Sequence, residues 1–294
     1  MTEELEEIKA TSKKEGDGLA LRVVQRKLRK ICDLDLSLYK PKQVKRLLES
    51  ALRRYGLSSY GELLEKLRKD PVMLQNFKGR MSINVSEFFR DPVRFEYLEE
   101  NVLEELVHKS RGLNVWSAGC SIGCEPYSVA MLLWKKNALR GCRILGTDID
   151  DDSLHRAQEA LYWEDEIRYV PRSLRNRFFA SAMDVEEQRL PSPQRRKPDG
   201  SLEDIYQLED KIQRVVTCRQ ENVFTSRYKQ DFDLIVCRNM AIYFTEEAKS
   251  QLYNILYQAL RPGGYIFVGG TEIIFQAEEI GLKNPAPFFY RKMS

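Results

Sequence analysis

The chain has 294 residues, 43% hydrophobic and 31% charged, which gives enough apolar material for one large core plus a smaller one and excludes a disordered protein. It holds no run of 18 apolar residues and no signal-peptide-like N-terminus, so we expect no membrane insertion and a cytoplasmic location. Six cysteines stand singly among apolar residues and only His108 and His155 are present to complete a metal site, so buried free thiols are expected and a metal centre is not.

Residues 1–17 are polar and read as a flexible tail. Leu21, Val24, Leu28 and Ile31 then recur at helical spacing. Pro41 suits the first turn of a second helix, striped by Val44, Leu47, Leu48, Ala51, Leu52 and Tyr55 and ended by Gly56. Ser58 or Ser59 can cap a third helix carrying Leu63, Leu64 and Leu67, and Pro71 opens a fourth. These helices make a small domain over residues 18–83. Between Leu21 and Arg80 sixteen Lys/Arg face six Asp/Glu. That excess is either a solvated surface or a docking face for an acidic partner. No interleaved aromatics or glycine-rich recognition loop supports nucleic acid.

Residues 84–112 form a linker and a connecting helix that starts at Asp91-Pro92. From residue 113 strands and helices alternate. We expect strands at Asn114–Ser117, Arg143–Thr147, Val215–Cys218, Asp233–Cys237 and Tyr265–Val268. Helices are expected at Glu125–Lys136, Asp150–Leu161 and Glu246–Leu260, and Pro287–Arg291 should close the chain as an edge strand. Alternation of this kind predicts an α/β domain over 113–294, a Rossmann-like, mostly parallel sheet with helices on both faces. A Pro-, Arg- and Gln-rich excursion near 182–214 interrupts it, as a small β-hairpin subdomain or a loop.

Ligands of such sheets sit at the carboxyl ends of the strands. Three ends carry polar groups. At the first, an apolar strand enters Gly119-Cys120-Ser121-Ile122-Gly123 and then a helix whose first turn holds Glu125. A phosphate loop offers N–H groups and a Lys, whereas Glu125 would repel phosphate and suits a nucleoside carrying positive charge, such as S-adenosylmethionine (SAM). At the second, Asp148 can accept hydrogen bonds from ribose hydroxyls, although a Gly-rich turn with a later Asp equally suits a nicotinamide cofactor. The third is Cys237-Arg238-Asn239, and Leu260-Arg261-Pro262-Gly263-Gly264 is a turn common in SAM-dependent methyltransferases.

Together with Tyr39-Lys40 and the Lys45-Arg46 helix, these segments resemble the chemotaxis-receptor glutamate O-methyltransferases (CheR type). The resemblance also takes in Ile83-Asn84-Val85-Ser86-Glu87-Phe88-Phe89-Arg90-Asp91-Pro92, Glu125-Pro126-Tyr127-Ser128, Gly146-Thr147-Asp148-Ile149-Asp150 and Met240-Ala241-Ile242-Tyr243-Phe244. It runs from about Leu21 to Tyr290. It implies SAM as methyl donor, S-adenosylhomocysteine as product, and glutamates on acidic chemoreceptor cytoplasmic helices as acceptors. Those helices would dock on the basic N-terminal face, and the enzyme would act as a monomer.

By the same resemblance, Asn84, Ser86 and Arg90 match the polar positions of a loop that closes over the cofactor. Gly119 belongs to the glycine turn, and Glu125 matches the acidic residue near the methionine amino group. Asp148 matches the ribose-binding residue, Asn222 and Val223 the adenine-contacting pair, and Cys237, Arg238 and Asn239 the border of the methionine part. Arg90 and Tyr243 match the residues near the transferring methyl group and are the expected catalytic pair. Cys124 stands where the family usually has a first Glu, Ser86 where it usually has Thr, and Met240-Ala241 puts a small residue before Ile242-Tyr243. The irregular excursion leaves open whether this region grips a receptor peptide. Two other readings stand beside this one: a methyltransferase acting on a signalling protein outside chemotaxis, and a non-catalytic SAM- or S-adenosylhomocysteine-binding module.

Overall fold

The computed structural model describes residues 17–32, 34–80, 86–110, 112–182, 195–197, 199–228, 232–275 and 277–293. They fall into two compact units. Described residues up to 80, with 240–251, make the first, and those from 86 to 239, with 252–293, the second.

The first unit contains α1 (Asp17–Cys32), α2 (Pro41–Tyr55), α3 (Tyr60–Lys69) and α4 (Pro71–Gly79). The apolar stripes point inward: Val24, Leu28, Val44, Leu48, Ala51, Leu63, Leu64, Leu67, Met73 and Phe77 are all buried. Local chemistry sets the ends. Gly56 closes α2 at φ 61°, and Ser59 Oγ accepts the Glu62 amide while Glu62 Oε2 accepts the Ser58 amide, a reciprocal cap. Asp70 caps α4 by accepting the Met73 amide. Residues 240–251 belong to this unit through Tyr39-Lys40. The Tyr39 and Phe244 rings meet edge to face at 4.9 Å, the Lys40 amide donates to the Tyr243 carbonyl, and Lys40 Nζ donates to the Ile242 carbonyl.

The second unit begins with α5 (Pro92–Tyr97), which continues through a π-helical segment, Leu98–Leu103, into α6 (Glu104–Lys109). There follow β1 (Asn114–Ala118), α7 (Cys124–Lys135), β2 (Arg143–Asp148), α8 (Asp151–Glu159), β3 (Leu161–Trp163), α9 (Arg172–Phe178), β4 (Phe179–Ser181), β5 (Ile205–Leu208), α10 (Asp210–Gln213), β6 (Val216–Gln220) and β7 (Phe232–Cys237). The chain ends with α11 (Glu246–Ala259), whose first turns belong to the first unit, then β8 (Leu260–Val268), β9 (Leu282–Ala286) and β10 (Phe289–Lys292).

The main sheet has the order β6-β2-β1-β7-β8-β10-β9, parallel from β6 to β8 and antiparallel thereafter. All five residues of the central β1 are buried, as a strand covered on both faces requires. β1 pairs β2 on one side and β7 on the other, which places a topological switch point, the usual ligand position, at its carboxyl end. β5, in the excursion, pairs with β3 and β4, which precede it, in a separate three-stranded antiparallel sheet of order β3-β5-β4.

Three predicted elements differ. β8 begins at Leu260, so the segment Leu260–Gly264 expected as a turn lies within the strand. Leu161 begins β3 instead of ending a helix, because Ala160 stops α8 in the left-handed region at φ 53°. The C-terminal strand is internal: β10 lies between β8 and β9, and β9 forms the edge.

Candidate active site

The β1–α7 loop needs backbone that few side chains tolerate. Gly119, Ser121 and Gly123 all have positive φ (78°, 47° and 84°), and the Gly119 and Cys120 amides both donate to the Thr147 carbonyl at the end of β2. Asp148, next along, is 8% exposed and ties the same loop down. Its Oδ2 accepts the Ser121 amide at 2.8 Å and its Oδ1 the Asp150 amide at 3.0 Å. Burial pushes its carboxyl up, partly offset by those N–H groups. Ser121 Oγ, in the same loop, is buried without a hydrogen-bond partner in the protein.

Glu125, in the first turn of α7, is held by two groups. Ser117 Oγ, from the otherwise apolar β1, donates to Oε1 at 2.7 Å, and Arg238 Nη1 lies 3.9 Å from Oε2. Burial dominates and raises the Glu125 carboxyl to about 7, with the Arg238 charge and the Ser117 bond pulling the other way.

Arg238 leaves the end of β7 with its side chain 3% exposed. Its guanidinium lies 5.3 Å from the Phe95 ring centroid and 4.7 Å from that of Phe267, cation–π contacts that partly replace lost water. Nη2 donates to the Arg90 carbonyl at 2.9 Å and to Asp91 Oδ2 at 2.5 Å. These bonds fix a strained loop in which Phe89 and Asp91 have φ of 52° and 65°. The Phe89 amide donates to Ser128 Oγ, and Phe88 and Phe89 are buried beneath it. Arg90 is thus presented from a loop pinned at three successive residues, close enough for its charge to act on both Glu125 and Arg238.

The remaining candidates are placed as follows. Asn84 lies outside the described residues, whereas Ser86 hydrogen-bonds Cys124, whose thiol is pushed up by burial. Asn222 makes a turn in which its Oδ1 accepts the Phe224 amide, with Val223 buried beside it. That turn is joined to Asp148 through the Glu221 amide, which donates to the Asp148 carbonyl. Cys237 is buried, its thiol raised by burial with the charges of Glu272 and Glu125 adding to it. Asn239 has φ 60°, and its amide donates to Glu272 Oε2. Tyr243, half-buried, belongs to the first unit.

The second unit therefore gathers Ser86, Arg90, Gly119, Glu125, Asp148, Asn222, Val223, Cys237, Arg238 and Asn239. Ser117, Asp91, Ser128 and Glu272 belong to the same network and were not singled out in the sequence. Ser117 is the one hydroxyl in Val-Trp-Ser-Ala, and Glu272 follows a strand end through Gly269-Gly270; those are weak signals that only the contacts make specific.

A family model of the CheR methyltransferase SAM-binding domain matches residues 84–285, and one of the CheR all-alpha domain matches residues 20–82. The chain belongs to the CheR methyltransferase family. It is similar to a chemotaxis protein methyltransferase of Listeria monocytogenes, 38% identical over 92% of this chain and 95% of that one. Its identity to one of Borreliella burgdorferi is 28%, over 87% and 88% of the two chains. Likeness to solved structures is low: a Haemonchus contortus phosphoethanolamine N-methyltransferase in complex with SAM gives a TM-score of 0.34 at 15% identity, over 63% of this chain and 36% of that one.

As a CheR methyltransferase the enzyme uses SAM, and the donor set fits that cofactor. Two carboxylates, the half-buried Glu125 and the buried Asp148, flank a loop with an unpartnered hydroxyl, which suits a cationic nucleoside and opposes a phosphorylated one.

Proposed function

We propose that the chain transfers the methyl group of SAM to glutamate side chains on the cytoplasmic helices of chemoreceptors, giving glutamyl methyl esters and S-adenosylhomocysteine. The observation that carries this reading is the Ser117–Glu125–Arg238–Asp91 network. It sets a carboxylate suited to a cationic cofactor next to the pinned loop that bears Arg90. The chemotaxis methyltransferases to which the chain is similar along nearly its whole length support the substrate class.

When bound, SAM supplies a methyl group already activated on a sulfonium. Glu125 would hold the methionine ammonium, Asp148 the ribose, and Asn222-Val223 the adenine. Gly119, Ser86, Asn84, Cys237, Arg238 and Asn239 would complete the pocket. A glutamate acceptor is ionised at neutral pH (ordinary value ~4.3), so the protein need not take a proton from it. Its task is alignment and exclusion of water. Arg90 orients the acceptor carboxylate and Tyr243 hydrogen-bonds near the methyl group. The exposed Lys42, Lys45, Arg46, Arg53 and Arg54 of α2 suit an acidic receptor helix, and we read the enzyme as a cytoplasmic monomer with a helical domain at 18–83 and a catalytic domain at 113–294.

The test is transfer of labelled methyl from SAM to receptor cytoplasmic fragments, followed by alkaline treatment. Label released as methanol is the expected result. SAM binding with no label on any fragment would overturn the receptor assignment.

A further inference from the structure

Glu272 lies just beyond β8, is 4% exposed, and uses a single oxygen to join two strand ends. Oε2 accepts the amide of Asn239, after β7, and the amide of Gly269, after β8, each at 2.7 Å. These are charge-assisted bonds, stronger than the amide–carbonyl bonds of an ordinary turn. One of them restrains Asn239 in the left-handed region at φ 60°, a conformation that asparagine tolerates better than other non-glycine residues and that the bond fixes in place. The neighbouring residue is adapted to the same bond. A Cβ on Gly269 would lie 2.4 Å from Glu272 Oε2 and 2.8 Å from the Asn239 nitrogen, so a side chain at 269 would drive the carboxylate away from the turn.

Burying a carboxylate to join two amides is an expensive solution if stability is the only gain, since desolvation costs several kcal/mol. Its charge also reaches the site, for Glu272 acts on both Glu125 and Cys237. The turn it holds carries Arg238, whose guanidinium links Glu125 to the Arg90 loop.

We infer that Glu272 is a positioning residue for cofactor binding: by accepting the Asn239 and Gly269 amides it fixes the turn after β7 in the geometry through which Arg238 and Asn239 border SAM. This rests on reading Arg238-Asn239 as part of the cofactor pocket. The full chain is compared with Glu272→Ala, Glu272→Gln and Gly269→Ala by calorimetric titration with SAM and S-adenosylhomocysteine, alongside thermal unfolding. Glu125→Gln serves as the reference for the pocket itself.

We expect Glu272→Ala and Gly269→Ala to weaken both ligands by roughly tenfold or more, the scale of a small misplacement of binding groups. Glu272→Gln keeps a carbonyl oxygen able to accept both amides and should recover to within about threefold of the parent. Glu272→Gln and Gly269→Ala carry the test if Glu272→Ala does not fold. Unchanged affinity with only a lower melting temperature overturns the inference, as does a loss in Glu272→Gln equal to that in Glu272→Ala, which would assign the effect to charge. Parent-like affinity in Glu125→Gln as well would remove the pocket reading and this inference with it.

Discussion

Burial lifts the Glu125 carboxyl from 4.5 to about 7, and the sign of the consequence depends on whether the cofactor is bound. Between those values the folded, ligand-free protein keeps a proton that the unfolded chain has released. Stability therefore falls as pH rises from about 4.5 to about 7 and stays low above it. At ~1.4 kcal/mol per pKa unit the loss is at most ~3.5 kcal/mol. Glu125→Gln should flatten this segment and raise the melting temperature above about pH 7, as thermal unfolding across that range will show. Cofactor affinity runs the opposite way, because an ammonium favours the ionised carboxylate. SAM should bind more tightly as pH rises through about 7, and Glu125→Gln should cost roughly 10- to 100-fold and remove that dependence, the worth of one charged hydrogen bond; calorimetric titration measures both. Arg90→Ala should reduce turnover by about 100-fold or more without unfolding the loop. The loop is pinned through the Arg90 carbonyl and the Asp91 carboxylate, both of which the substitution leaves in place. Near-normal methyl transfer by that variant would remove Arg90 from the mechanism.

Among the elements, α7 depends most on one residue before it. Gly123 caps it at φ 84°, and a Cβ there would meet Tyr127 Cε2 at 2.8 Å and Ala157 Cβ at 3.0 Å. The Tyr127 ring cannot simply swing away, since its hydroxyl donates to the Ala157 carbonyl. Gly123→Ala should thus add a left-handed backbone penalty to overpacking, ~2–4 kcal/mol together, read as a lower denaturation midpoint. Most elements were legible because their signals are local: apolar spacing gave the helices, and Ser59, Gly56 and Pro71 marked their ends. β9 was not legible. Lys283-Asn284-Pro285 has no apolar alternation, and this edge strand exists only because β10 offers it a ladder. Leu161 was misassigned for a related reason, since β5 and the left-handed Ala160 turn it into a strand.

For the molecule as a whole, the two activities proposed here should respond differently to salt. Asp148 and Arg238 of the proposed cofactor pocket are buried, whereas the proposed receptor recognition through the exposed cations of α2 would be screened within ~10 Å at 0.1 M salt. Receptor methylation should therefore fall with ionic strength while SAM affinity stays nearly constant. Reversing Lys45 and Arg46 to Glu should lower methylation at low salt by roughly tenfold and flatten its salt slope. An unchanged slope would mean that this face is only a solvated surface.

The sequence by itself determined the helical segment ahead of an alternating α/β region, the glycine loop with its acidic ending, and the family resemblance, because spacing and motif are properties of neighbouring residues. Tertiary structure alone decided which of those residues act together. Asp91 and Arg238 are 147 positions apart and Asn239 and Glu272 are 33 apart, so no local pattern announces their pairing. The raised carboxyl of Glu125 likewise depends on burial, which outweighs the opposing charge of a guanidinium brought in from the end of β7. Desolvation and charge proximity are set by distance in space, which the chain acquires only when its sheet is assembled.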